Sequence, residues 1–155
     1  MALTIAQKER GVELLSMLND IDWINSGGCL YACLGVYKAL EKEGIKDEDI
    51  VIVQLEHMYQ SETITENKKF IEGRNKTAFS SSHFGLSFDG GDTYYDSDGQ
   101  IAETKYPLHL IIPNKMIEKF SNNALEYGGW NPMFDRYESV PQINKMLNLN
   151  LDCYE

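Results

Sequence analysis

In the segment Asn25-Ser26-Gly27-Gly28-Cys29-Leu30, a thiol follows two glycines and opens an apolar run. If that run is helical, Cys29 lies in its first turn. Backbone N–H groups there have no intrahelical acceptor, and the helix dipole is positive. Both features favour the thiolate, the nucleophilic form of cysteine. The same N–H groups suit an oxyanion formed by attack on a carbonyl. Gly28 allows close backbone approach, and the Asn25 side chain is a second candidate donor. A second group of reactive types lies downstream. Phe84, Leu86 and Phe88 alternate with His83, Gly85 and Ser87, and Asp89-Gly90-Gly91-Asp92 is a turn sequence leading to Thr93-Tyr94-Tyr95-Asp96-Ser97-Asp98-Gly99. A hairpin centred on Gly90-Gly91 pairs Ser87 with Tyr94, Gly85 with Asp96 and His83 with Asp98, all on one face. His83 is then opposite Asp98 and diagonal to Asp96, within reach of either carboxylate. A thiol, an imidazole and a carboxylate that orients it form the set used in nucleophilic acyl transfer. The bland reading of the same residues is a packing thiol and a solvated polar face.

These side chains need a helix and a sheet to hold them. Residues 28–43 form the clearest predicted helix: Cys29, Cys33, Val36 and Leu40 share one face, and Gly44 is a C-terminal stop. An earlier helix is expected over residues 1–19, with Thr4 and Gln7 as a capping box; Gly11 weakens it by about 1 kcal/mol. Residues 50–55 are β-branched and read as a strand, with helix as the alternative. Residues 62–72 read as a short helix or an exposed excursion, and 108–112 as a strand between Pro107 and Pro113. Gly85 leaves room on the His83 face for a helix or substrate. A short helix at 114–120, a loop at 128–132 and a helix at 139–149 complete the chain. Helices followed by antiparallel strands give an α+β class, with a central Cys-bearing helix on a small sheet. The expected organisation is one domain, 1–155, with an N-terminal helix (1–19), a core (20–112) and a C-terminal helical extension (113–155).

The chain has 155 residues and a formal net charge of −10, from 14 Lys and Arg against 24 Asp and Glu. That balance argues against a nucleic-acid partner, because phosphate contacts rely on basic side chains. Apolar runs are too short for a membrane span, and the N-terminus lacks a signal-like apolar stretch, so a cytoplasmic location is expected. Cys29, Cys33 and Cys153 show no disulfide framework; Cys33 reads as core and Cys153 as exposed and inert. His57, His83 and His109 do not cluster at metal spacing, and residues 94–105 fail the calcium-loop pattern, so no metal or other cofactor is expected. His57 and His109 read as structural or surface residues. Trp23 and Trp130 are candidates for lining a substrate cleft.

The order Cys, His, Asp resembles the papain-like cysteine hydrolase superfamily, which includes transglutaminase-like and NlpC/P60 members. The residues that carry the resemblance are Gly27-Gly28-Cys29, Ser81-Ser82-His83-Phe84-Gly85-Leu86, and Tyr94-Tyr95-Asp96-Ser97-Asp98-Gly99. It implies Cys29 as nucleophile, His83 as base and Asp96, ahead of Asp98, as the orienting acid. The Tyr-Asp-x-x-Gly ending is similar to transglutaminase-like members most. Papain-type proteases carry a glutamine six residues before the cysteine, where this chain has Trp23. The implied activity is hydrolysis or acyl transfer on an amide, isopeptide or thioester of a protein or peptide-like substrate. The alternative is a non-enzymatic acidic module on the same fold that binds a basic protein, of the kind small bacterial or phage chains direct at host or defence proteins.

Overall fold

A computed structural model describes residues 3–25, 28–58, 63–75, 83–113 and 136–151. Among these, α1 (Ile5–Met17) is followed by a 3-10 turn (Leu18–Asp20), α2 (Cys29–Lys42), β1 (Val51–Glu56) and α3 (Ile64–Asn75). Then come β2 (His83–Ser87), β3 (Tyr95–Asp96), β4 (Gly99–Gln100), a 3-10 turn (Glu103–Lys105), β5 (Leu108–Ile112) and α4 (Arg136–Leu147). The five strands form one antiparallel sheet in the order β4-β3-β2-β1-β5, so the class is mixed α+β. No helix among the described residues is long and apolar enough to cross a membrane. The expected helix at 114–120, the loop at 128–132 with Trp130, and Cys153 lie outside the described residues.

Local chemistry accounts for the helix boundaries. Thr4 Oγ1 accepts the Gln7 N–H at 3.1 Å and the Gln7 side chain accepts the Thr4 N–H at 2.9 Å, a complete capping box on α1. Gly28 caps α2 without a side chain, and Gly44 follows its end at φ +81°, a left-handed conformation suited to glycine. Gly11 has a tertiary reason. A Cβ there would lie 2.3 Å from two ring atoms of Phe88, so α1 crosses the sheet where only a hydrogen fits.

β1 lies between two strands and is buried along its whole length, as its unbroken apolar start requires. Ile50 and Ile52 join α1, α2, α4, Phe84, Leu86 and Phe88 in the main core. Val51, Val53 and Leu55 form a second cluster with Tyr94, Ile101 and Tyr106. The room that Gly85 offers on the His83 face is therefore filled: a Cβ there would meet Ile101 Cδ1 at 3.0 Å and Tyr94 Cβ at 3.2 Å. Helix α2 takes the Phe84, Leu86 and Phe88 face instead, because its long apolar surface matches those side chains. Residues 64–72 of the run expected at 62–72 lie in α3, which covers Leu108 and Leu110 with Ile71. Beside Ile71, Gln54 and Glu56 are fully buried: Arg74 pairs with Glu56 at 3.2 Å, and Asn75 exchanges hydrogen bonds with Gln54.

Candidate active site

The segment 21–25 precedes α2 in the chain. Ile21 and Ile24 anchor it in the core, and Gly28 N–H donates to the Trp23 carbonyl at 3.2 Å. Trp23 adopts φ +63°, which is uncommon for an aromatic residue, and its side chain is 48% exposed. Cys29 takes the first position of α2 and is 7% exposed as a residue. The Cys29 thiol is close enough to His83 to raise the pKa of its ring.

His83 opens β2 and is 5% exposed. Its Nε2 lies 2.8 Å from Asp96 Oδ2. The hairpin register places Leu86 opposite Tyr95, the pairing expected from a turn centred on Gly90-Gly91. The expectation that His83 faces Asp98 is not met. The chain reverses at residues 97–98 into β4, and Asp98 leaves the line of β3. Its N–H instead donates to Asp96 Oδ1 at 2.8 Å, while its exposed carboxylate lies 3.4 Å from Asn25 Nδ2. Asp96 is thus held from both sides: one oxygen on the turn backbone, the other on the imidazole.

Burial of the His83 ring opposes its charge. The Asp96 hydrogen bond, the Cys29 hydrogen bond and the charges of both groups outweigh that effect, and the pKa rises from 6.5 to about 9. Burial likewise opposes ionisation of Asp96, but the His83 and Asp98 hydrogen bonds and the charges of His83 and Lys105 hold its carboxyl below the ordinary 3.8. Near neutral pH the pair is therefore imidazolium and carboxylate. Cys33, one turn below Cys29, is buried in the core; burial pushes its thiol well up, and the charges of Cys29 and Asp96 push it further. It stays a neutral packing group.

Asn25 directs its amide nitrogen to Ser97 Oγ at 2.7 Å and to Asp98, so its donor hydrogens serve the β3–β4 turn in this arrangement. Tyr106 enters without a sequence signal. Its ring stacks on His83 with centroids 6.0 Å apart and planes at 21°, and it lies 5.2 Å from the ring of exposed His57. His109, on β5, holds that segment: its Nε2–H donates to the Tyr106 carbonyl at 2.6 Å, with Tyr94 Oη 2.9 Å away. Tyr106 follows a 3-10 turn outside the hairpin, so no periodicity marks it. Ser97 had a signal, since it sits between two aspartates of a turn, but its partners are distant in sequence.

Among the described residues, no group of three or more His, Cys, Asp or Glu side chains is arranged to hold a metal ion. Comparison with protein-family models, curated proteins and solved structures gives no match.

Proposed function

We propose that this chain is a cysteine hydrolase or acyl transferase of the papain-like kind, acting on an amide, isopeptide or thioester. The observation that carries the reading is a buried imidazole 2.8 Å from a carboxylate and beside the thiol that opens a helix. In this mechanism His83 holds the proton given up by the Cys29 thiol, and the sulfur attacks the substrate carbonyl carbon. An S–C bond forms and the carbonyl electron pair moves to oxygen. The first-turn N–H groups of α2, at Cys29 and Leu30, are the donors for that oxyanion. Collapse breaks the bond to the leaving group, which takes the His83 proton. Water or an amine then gives its proton to neutral His83 and attacks the thioester, and the thiolate leaves. Asp96 keeps the ring in one orientation and stabilises its charged form.

The test is alkylation by iodoacetamide at pH 6 with the modified residue mapped by mass spectrometry. Cys29 should react at least about tenfold faster than N-acetylcysteine, the advantage of a nucleophile activated by an adjacent base. His83→Ala should remove that advantage while the fold persists. Wild-type labelling at the rate of the free thiol would overturn the proposal.

A further inference from the structure

The hydroxyl of Ser97 ties together two parts of the site that are distant in sequence. Ser97 is buried, follows Asp96 directly and begins the reversal between β3 and β4. Its Oγ accepts from Asn25 Nδ2 at 2.7 Å and donates to Asn19 Oδ1 at 2.9 Å. Asn25 belongs to the loop that delivers Cys29, and Asn19 lies in the 3-10 turn after α1. One oxygen thus joins the end of α1, the approach to the nucleophile and the turn that carries the acid. A hydroxyl suits the place because it donates and accepts through the same atom. The hydrogen bonds run in one direction, from the Asn25 amide to Ser97 and on to the Asn19 carbonyl. Asn25 keeps this orientation although its Oδ1 is buried and has no hydrogen-bond partner.

We infer that Ser97 is a positioning residue: it holds the Asp96 turn against the Cys29 loop, and so sets the alignment of carboxylate, imidazole and thiol. The inference rests on the proposed catalytic reading and adds to it a residue that touches none of the reacting atoms. If the Ser97 bridge is lost, the turn is free to shift against the Cys29 loop. Asp96 then has two anchors left, the Asp98 N–H and His83 itself.

The experiment compares wild type with Ser97→Ala, Ser97→Thr, Asn19→Ala and Asn25→Ala. Two readouts are taken: the pH at which the His83 ring protons titrate by NMR, and the iodoacetamide rate on Cys29 at pH 6. Ser97→Ala should lower the His83 titration and slow labelling by about tenfold, the scale of one hydrogen bond's preference. Ser97→Thr should restore both values, and Asn19→Ala should move them in the same direction as Ser97→Ala. Should Ser97→Ala fail to fold, Asn25→Ala carries the test, since it removes the donor that ties the Asp96 turn to the Cys29 loop. Folded variants that keep the wild-type titration and rate would overturn the inference and leave the catalytic proposal standing. A wild-type Cys29 no faster than free thiol would instead remove the catalytic proposal and this inference with it.

Discussion

Replacing Asp96 with Asn tests the electrostatics of the site while nearly conserving its shape. In the wild type the rise of the His83 pKa from 6.5 to about 9 corresponds to about 3 kcal/mol in favour of the charged ring. Because the folded value is the higher one, this stabilisation is fully present below pH 6.5 and is lost as pH rises through about 9. Asp96 adds the acid side: its depressed pKa contributes stability above the ordinary 3.8 that is lost as pH falls. Asp96→Asn removes the carboxylate charge and the charge-assisted hydrogen bond. Burial, which lowers the His83 pKa, is then opposed only by the Cys29 interactions. An opposite charge at this range is worth about 1–3 pKa units, so the ring should titrate that much lower in the variant. The matching loss of stability at pH 6 is about 2 kcal/mol, shrinking towards pH 9.5. Urea unfolding at pH 6, 7, 8 and 9.5 reads the stability, and the His83 ring protons followed by NMR read the titration. The wild type should lose stability across this range and Asp96→Asn should lose much less. A wild-type ring that titrates near 6.5, or two proteins whose stabilities fall in parallel, would refute the reasoning.

Two further substitutions probe the scaffold. Gly11→Ala should destabilise the protein by about 1–3 kcal/mol, the cost of overpacking, despite a helix-propensity gain of about 1 kcal/mol. The reason is the Phe88 ring 2.3 Å from the new Cβ, and a urea midpoint at or above wild type would show that α1 does not cross the sheet this closely. Arg74→Met should cost on the order of 2 kcal/mol, because the fully buried Glu56 carboxylate loses a charged partner 3.2 Å away. Unchanged unfolding in that variant would mean that α3 is not docked through this pair.

Much of the framework is legible in neighbouring residues. The capping box of α1, the apolar faces of α2 and the Gly44 stop depend on spacings of three to four positions, and all are present. The strand at 50–55 was open between two readings, because a short apolar run fits either, and pairing with β2 and β5 settled it as β1. The final helix begins at Arg136, ahead of the expected 139, with Pro141 inside it. There Val140, Ile143 and Leu147 pack into the main core, and a Cβ on Gly35 of α2 would meet Ile143 Cγ2 at 3.1 Å. Such close helix contact outweighs the local preference of proline for an end position.

By itself the sequence determined the local conditions of the site: a thiol where a helix must start, an imidazole on an alternating strand, and a turn whose register brings Asp96 within reach. Each follows from backbone geometry over a few residues. Tertiary structure decided that α2 covers the face opposite His83 and that Asp98 turns away. It also placed Tyr106 on the imidazole and bridged Asn25 to Asn19 through Ser97. These outcomes depend on pairs separated by 72 and 78 residues in the Ser97 bridge, and on competition between whole faces for the same core. No local periodicity encodes such contacts, since their energies arise only once the chain has closed on itself.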